Sequence, residues 1–286
     1  MKSGFVAVAG RPNVGKSTLV NALCGWPVAI VSDKPQTTRR RVRGILNGDG
    51  FQLVLSDLPG FQRPRDPLTE HMQRTVDKEL EGVDGFLFVV DAEAGTGAGD
   101  RFIAKRVFSA GAPVVIAVNK VDVLRPERIA EQIAAAGELG DFEALHPVSA
   151  RTGDGVDDLR DELVALLPEG PAYFPQDQAT DLPVEVQVAE AVREQALALT
   201  REEIPHAISV VVEELGEKVV RAAVAVETES QKQIAIGKGG AVIKEIGVRA
   251  RPAIERLLGH PVFLELRVVV RRRWRHDERM LERLGI

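Results

Sequence analysis

The stretch that most constrains this chain is Gly10-Arg11-Pro12-Asn13-Val14-Gly15-Lys16-Ser17-Thr18. It has the spacing Gly-x₄-Gly-Lys-Ser and lies between a short apolar run, "FVAVA" (5–9), and a helical pattern that opens at Lys16. In the order strand, glycine turn, helix, this spacing makes a phosphate cradle. The glycines let backbone N–H groups turn inward around a phosphate chain. Lys16 brings a point charge to the β and γ oxygens, and the Ser17 hydroxyl suits Mg²⁺. The helix adds its positive end.

The residues around the turn predict the sheet that such a cradle needs. "VRGILN" (42–47) and "FQLVLSD" (51–57) flank Gly-Asp-Gly and form a hairpin pattern. "GFLFVVD" (85–91) and "PVVIAVN" (113–119) are near-continuous apolar runs of the kind buried in a parallel sheet, and "LHPVSA" (145–150) is a shorter sixth candidate. Helical patterns at 16–24, 67–81, 100–110, 126–139 and 156–167 fill the gaps. Residues 1–167 therefore predict a doubly wound, mostly parallel, six-stranded α/β domain whose ligands bind beyond the carboxyl ends of its strands. Residues 168–183 hold four prolines and no periodicity, and form the expected linker. Residues 184–286 predict a small α+β domain in the order α-β-β-α-α-β-α. It has a helix at 184–200, strands in "HAISVVVEEL" (206–215) and "VVRAAVAVET" (219–228), and helices near 240–250 and 252–259. A strand in "VFLELRVVV" (262–270) and a helix near 275–284 close it.

Two further motifs end predicted strands, and a third follows the last. Asp57-Leu58-Pro59-Gly60 puts a carboxylate where it reaches Mg²⁺ through water and a glycine N–H where it meets a γ-phosphate. Alone, Asp-x-x-Gly is usually a turn. In Asn119-Lys120-Val121-Asp122, the Asp122 carboxylate matches the N1–H and N2–H₂ donors of guanine. Adenine lacks that donor pair and would leave the carboxylate unmet, a discrimination on the order of 10⁴. Ser149-Ala150-Arg151 offers a backbone N–H to the guanine O6. In this order, the motifs indicate GTP or GDP with Mg²⁺.

A second glycine-lysine turn, Gly237-Lys238-Gly239-Gly240, lacks the first one's spacing and is followed by no Ser or Thr for Mg²⁺. It joins helical stretches flanked by Ile234, Ile236, Val242, Ile243 and Ile246. A lone Gly-x-x-Gly is ordinarily helix-turn chemistry. Within this order of elements it resembles the loop of a type II KH domain, which clamps the backbone of about four unpaired nucleotides while an apolar groove takes the bases. Ile236, Gly237, Lys238, Gly239, Gly240, Ile243 and Lys244 are the candidate RNA contacts.

Charge agrees with two different ligands. The chain's net charge is -5, yet residues 232–286 hold 3 Lys and 10 Arg against 1 Asp and 5 Glu, or +7, which leaves -12 elsewhere. A basic face on the C-terminal part fits RNA, and a solvated surface is the plain alternative. In "RVVVRRRWRHDER" (267–279) strand alternation would split six arginines over both faces. Trp274 either stacks on a base or closes the core. Cys24, the single cysteine, lies in a helical pattern with no histidine near it in sequence, and His206 follows "EEIP"; both suit structural roles. A lone cysteine allows no intrachain disulfide, and no apolar run approaches the roughly 18 residues of a membrane span. A cytoplasmic location is expected.

Residues 1–167 resemble the translation-factor-like GTPases, and "PQTTRRR" (35–41) resembles the first switch of their Era and tRNA-modification branches. The resemblance implies that Thr38, or else Thr37, joins Ser17 and Asp57 on Mg²⁺, and that Asn13, Lys16, Thr38 and Gly60 carry catalysis. Arg39–Arg41 are expected on a solvated surface. Where Ras-like enzymes have a water-orienting glutamine, this chain has Phe61. Relatives with a hydrophobic residue there often use K⁺ held in part by a phosphate-loop asparagine, which implies K⁺ at Asn13. Leu58 replaces the usual threonine of Asp-Thr-Pro-Gly. Over nearly the whole chain, including "TREEIPHA" (200–207) and "IAIGKGGAVIKEIG" (234–247), the resemblance is to the Era family of ribosome-assembly GTPases. It implies binding near the 3′ end of small-subunit rRNA, work on the small ribosomal subunit as a monomer, and peripheral contact with the inner membrane. An RNA-binding assembly module holding nucleotide as a structural ligand, and a GTPase acting on another RNA such as tRNA, are the other readings.

Overall fold

The computed structural model of the chain describes residues 1–34, 37–61, 64, 66–200, 204–284 and 286. Pro35 and Gln36 of "PQTTRRR" and residues 201–203 of "TREEIPHA" lie outside the described residues. The chain divides into two compact units. One comprises Met1–Ala29, Thr38–Arg63 and Met72–Asp181; the other comprises Ile30–Thr37, Pro64–His71 and Leu182–Ile286.

In the first unit, strands β1 (Lys2–Ala9), β2 (Val42–Gly48), β3 (Phe51–Asp57), β4 (Gly85–Asp91), β5 (Val114–Asn119) and β6 (Ala144–Pro147) form one sheet in the order β2-β3-β1-β4-β5-β6. Only β2 is antiparallel; it pairs with β3 across the Asp49-Gly50 turn. Helices α1 (Lys16–Cys24), α2 (Pro67–Glu79, which belongs to this unit from Met72 onward), α3 (Ala98–Phe108), α4 (Pro126–Gly137) and α5 (Val156–Leu166) follow in chain order. The central strands carry unbroken apolar runs at Phe5–Ala9, Phe86–Val90 and Val114–Val118 because both faces are covered. On one face Val6, Val8, Leu87, Val89 and Val115 pack with Leu19, Leu23, Leu159 and Leu163 of α1 and α5. On the other Ala7, Phe86, Phe88, Ile116 and Val118 pack with Val76, Ile103, Val107 and Ala136 of α2, α3 and α4. The first strand lies between β3 and β4, so strand order reverses there and a crevice opens at its carboxyl end. Cys24 packs against the first of these cores, and burial pushes its thiol up to about 12, which leaves it inert near neutral pH.

The proline-bearing stretch expected as a linker stays with the first unit through Asp181. Its backbone joins the start of β1, with Ser3 N–H donating to Pro168 O at 2.9 Å and Gly170 N–H to Met1 O at 2.9 Å. The buried Gln52 accepts the N–H groups of Tyr173 and Phe174, and the Tyr173 ring meets Phe5 edge-on at 4.7 Å. Prolines without periodicity describe a strap as well as a linker, because both are extended; the side chains that bind the strap lie far away in sequence.

The second unit contains α6 (Val184–Leu199), α7 (Ile204–Ala207), β7 (Ser209–Leu215), β8 (Val219–Val226), α8 (Glu229–Ile236), α9 (Ala241–Leu258), β9 (Phe263–Val270) and α10 (Glu278–Arg283). Strand β8 pairs antiparallel with β7 and parallel with β9. Val188, Val192 and Ala196 of α6 and Ile246, Ala250 and Ile254 of α9 cover one face, whose strand residues include Val210, Ala222, Val224 and Val268. The opposite face carries ion pairs between strands, Arg221 with Glu265 at 2.8 Å and Arg267 with Glu213 at 2.7 Å between Nε and a carboxylate oxygen.

One expectation fails here, and one open alternative is decided. The predicted break before Pro252 is absent, since α9 runs through it as one helix of 18 residues. A separate helix, α8, lies before the glycine turn, outside the ranges expected from the pattern. Proline forfeits one backbone bond, and the buried Ile246-Ala250-Ile254 stripe holds the helix against that loss. Trp274 is 1% exposed and its indole N–H donates to Ala207 O at 2.7 Å, so it closes the core and stacks on no base. Trp274→Phe keeps most of that packing but strands the Ala207 carbonyl. It should destabilise by about 1–3 kcal/mol in urea unfolding, with GTP turnover unchanged.

Candidate nucleotide site and nucleic-acid groove

The phosphate loop leaves β1 at the crevice and is held open from outside. Gly15 has φ 97°, and a Cβ there would lie 2.3 Å from Asn119 Nδ2, so the loop accepts only glycine where Asn119 crosses it. Asn119 donates to Val14 O at 2.9 Å, and Lys120 Nζ donates to Asn13 O at 3.0 Å and to Asp91 at 2.6 Å. Asn13 itself is left-handed, at φ 66°. The Arg11 guanidinium is committed to the buried Asp100 at 2.7 Å and to Gly95 O at 3.0 Å, which ties the loop to the start of α3. Arg11 thus offers a phosphate its backbone N–H and not its charge. Val14 is buried, Pro12 is exposed, and Thr18 follows on α1, half-buried.

Three oxygens converge beneath the loop. Ser17 Oγ donates to Asp57 Oδ2 at 2.6 Å, Thr38 Oγ1 to the same oxygen at 3.2 Å, and the two hydroxyls are 3.2 Å apart. Thr37 takes no part, because its hydroxyl donates to Lys34 O at 2.6 Å. Asp57 is fully buried, and its Oδ1 has no hydrogen-bond partner among the described residues. Burial pushes the Asp57 carboxyl up, against the opposing pull of Lys16, Ser17 and Thr38. Burial pushes the Lys16 ammonium down, and Asp57 partly restores it. Among the described residues Lys16 donates to the carbonyls of Gly10 and Arg11, at 3.1 and 3.0 Å. A buried carboxylate with a spare oxygen and a buried ammonium held by carbonyls fit a divalent cation and a phosphate respectively.

At the far end Asp122 accepts the Ser149 hydroxyl at 2.7 Å and pairs with Arg151. The Ser149 bond, followed by the Arg151 charge, holds its carboxyl below the usual range. The expected open N–H at Ser149-Ala150 is not found. Ser149 N–H donates to Asp154 O at 2.9 Å and Ala150 N–H to Asn119 Oδ1 at 3.0 Å, so an O6 contact there would share a donor already in use.

The second glycine turn is built differently. Gly237, Gly239 and Gly240 all have positive φ, and a Cβ on Gly239 or Gly240 would meet nothing within 4 Å, which leaves an open backbone. A Cβ on Gly237 would lie 2.5 Å from the Val242 side chain. The turn delivers the positive end of α9, with Lys238 exposed on it. Beside it a cleft of about 300 Å³ is lined by Ile243, Lys244, Val248 and Arg251 of α9 and by Phe263 and Leu266 of β9. Phe263 is 63% exposed. Ile236 joins the core instead of the cleft. Sequence reasoning missed Val248, Arg251, Phe263 and Leu266; the apolar run of the last strand was a signal for Phe263 and Leu266, and nothing local marked Val248 or Arg251.

A family profile described as "50S ribosome-binding GTPase" matches residues 5–120, and one described as "KH domain" matches residues 203–275. "GTPase Era" of Mycobacterium tuberculosis H37Rv and of Mycobacterium bovis BCG Pasteur are each 46% identical over 294 residues, covering 99% of this chain and 98% of theirs. The chain belongs to the Era family of GTPases. Two Era crystal structures, one with MgGDPNP and nucleotides 1506–1542 of 16S rRNA and one of an Aquifex aeolicus Era variant with GDP·AlF₄⁻, superpose with TM-score 0.96. They have 38% identity to the chain and cover 100% of it and 99% of their own chains.

As an Era-family member the protein is a GTP hydrolase, and its departures have structural reasons. Leu58 is fully buried and packs in the same core as Phe61, which is 7% exposed with the Arg106 guanidinium 5.8 Å above its ring. Phe61 therefore serves the core and orients no water. Pro59 is buried beside Gly60, where a Cβ would lie 3.1 Å from Pro12, so the end of β3 and the phosphate loop touch. The expected solvated surface at Arg39–Arg41 is corrected: Arg39 is 3% exposed and Arg41 pairs with Glu79 at 2.6 Å. Asp122→Asn removes the acceptor pair and supplies a donor. It should lower GTP affinity by on the order of 10²–10⁴ and admit xanthosine triphosphate, as read by calorimetry with the two nucleotides.

Proposed function

We propose that this chain is a GTP-hydrolysing switch whose nucleotide state sets its hold on single-stranded rRNA near the 3′ end of the small-subunit RNA, in service of small-subunit maturation. Residues 1–167 form the GTPase domain, 168–183 the connection and 184–286 the KH domain. Backbone groups of residues 10–18 with Lys16 cradle the phosphates, and Ser17, Thr38 and Asp57 hold Mg²⁺. Thr38 is preferred to Thr37 because its hydroxyl alone reaches Asp57. Gly60 meets the γ-phosphate, Asn119 and Lys120 brace the loop, and Asp122 with Ser149, Ala150 and Arg151 selects guanine. Gly237–Gly240 clamps the RNA backbone, and Ile243 and Lys244 line the base groove.

The convergence of Thr38, Ser17 and Asp57 carries the reading. A threonine on a loop distant in sequence is drawn onto the cation site, an arrangement that senses a γ-phosphate and that a GDP-only structural site would not need. The Era structure with MgGDPNP and 16S rRNA supports both ligands. A cytoplasmic monomer is proposed, with the inner-membrane contact resting on the basic C-terminal part alone. Only part of that charge can serve the groove. Arg271, Arg272 and Arg279 line a different cleft, against Val211, Ala223 and Val269 on the sheet face opposite α9.

The decisive experiment compares RNA-stimulated GTP turnover with RNA affinity in the GTP- and GDP-loaded forms. No stimulation and equal affinities would reduce the nucleotide to a structural ligand, and crosslinking at Lys238 to tRNA would reassign the target. Gly239→Asp should cut RNA affinity and leave nucleotide binding intact. The log-log salt slope should be about -0.7 per phosphate contact. With Phe61 in the core, K⁺ held in part by Asn13 is proposed as the transition-state charge. Turnover of roughly 10⁻⁴–10⁻² s⁻¹ without an activator should rise in K⁺ over Na⁺, and Asn13→Ala should erase the difference. Equal rates in the two salts would remove K⁺ from the mechanism.

A further inference from the structure

Residues 30–34 and Thr37, which precede Thr38 in the chain, belong to the second unit. Helix α6 holds them at two points. Glu194 Oε1 accepts the Val31 N–H at 2.9 Å, and the Arg193 guanidinium donates through Nη2 to the carbonyl of Thr37. Arg193 is 4% exposed. Its charge is answered from within the helix by Glu190, 2.6 Å from Nη2, while Nη1 has no hydrogen-bond partner among the described residues. Burying a guanidinium is unfavourable unless it is paired and hydrogen-bonded. Glu190 meets the charge, and a loop carbonyl supplies a further acceptor. The protein thus ties this loop with a desolvated cation where a solvated surface contact could have tied it.

The location of that carbonyl gives the contact its meaning. The Thr37 C=O and the Thr38 N–H belong to one planar peptide unit. Any turn of the Thr38 main chain therefore swings the acceptor that Arg193 holds. Thr38 is also the residue whose hydroxyl joins Ser17 and Asp57. On its other side α6 packs along α9 through Val188, Val192 and Ala196 against Ile246, Ala250 and Ile254. Helix α9 starts at the Gly237–Gly240 turn. Within the second unit, packed elements thus lead from the Thr37 carbonyl through α6 and α9 to the RNA clamp.

We propose that Arg193 is the positioning residue that makes the RNA clamp respond to the nucleotide, by giving or withholding its hydrogen bond to the Thr37 carbonyl as Thr38 engages or leaves the Mg²⁺ site. The inference rests on the switch reading above and adds its point of transmission. Coupling of this kind needs an element with two arrangements that both sites bias, and the peptide between Thr37 and Thr38 is that element. The guanidinium is needed for its planar fork, which holds Glu190 and the carbonyl together; an ammonium is a point charge with weaker geometry.

The test uses the full-length chain and a short single-stranded RNA carrying the 3′-terminal sequence of small-subunit rRNA. RNA dissociation constants are measured with GTP-analogue-loaded and GDP-loaded protein, alongside RNA-stimulated turnover. The wild-type ratio should fall in the roughly 5–150-fold range usual for coupled sites. Arg193→Met combined with Glu190→Gln removes the ion pair as a unit, so no lone buried charge remains to unfold the helix. In that variant the ratio should fall to about 1 and stimulation should vanish, with GTP affinity, intrinsic turnover and Tm close to wild type. Arg193→Lys should restore part of the ratio, and it stands in if the double variant does not fold. A folded variant that keeps the wild-type ratio overturns the proposal while sparing the switch. Equal loss of RNA binding in both states makes Arg193 merely structural and also overturns it. A wild-type ratio of one would instead sink the switch reading, and this inference with it.

Discussion

A buried carboxylate and a buried ammonium that the protein alone leaves underserved sit at the centre of this structure. Among the described residues Asp57 has one oxygen without a partner and Lys16 donates only to carbonyls. In a low-dielectric site both are unfavourable until a cation and an anion arrive together. Magnesium-bound phosphate supplies both charges at once. The surrounding architecture keeps the two groups apart and in place: β1 and β3 run side by side to the crevice, and α1 starts with Lys16. Asn119 and Lys120 brace the loop from β5.

Two glycine-lysine turns in one chain do different chemistry because their walls differ. The first is enclosed. Its glycines admit neighbouring groups, Asn119 most closely, and the loop closes on a compact charged ligand. The second is open on its outer side at Gly239 and Gly240 and is flanked by a shallow apolar cleft. An open backbone beside the positive end of a helix suits a chain of phosphates passing by, with bases laid on Phe263 and the α9 side chains. The basic charge of the C-terminal part is divided among at least three uses. Arg221 and Arg267 are held by carboxylates on the sheet face, Arg275 pairs with Glu227 at 2.8 Å, and Arg271, Arg272 and Arg279 rim a separate cleft. Net charge therefore overstates what the groove itself presents.

Three places where the local pattern was insufficient share one cause. Arg41 reads as solvated beside Arg39 and Arg40, Trp274 reads equally as a base platform or a core residue, and residues 168–183 read as a linker. In each case the partner lies far along the chain: Glu79 for Arg41, Ala207 O for Trp274, and Phe5 and Gln52 for Tyr173 and Phe174. Pro252 misled differently. A missing N–H is a local fact, but the helix continues because a buried stripe outweighs one lost bond.

The sequence by itself determined the strand-turn-helix cradle, the order of the motifs at strand ends, the six-stranded, mostly parallel architecture and the presence of a second glycine turn of another kind. These rest on local spacing and on the apolar periodicity of single elements, both of which the chain carries in linear form. Only the tertiary structure decided that Thr38 and not Thr37 faces Asp57, that Phe61 belongs to the core, that Ala150 N–H is already engaged, and that Arg193 grips the loop leading into Thr38. Each of these is a contact between segments remote in sequence, and which side chain wins such a contact depends on packing that no local pattern encodes.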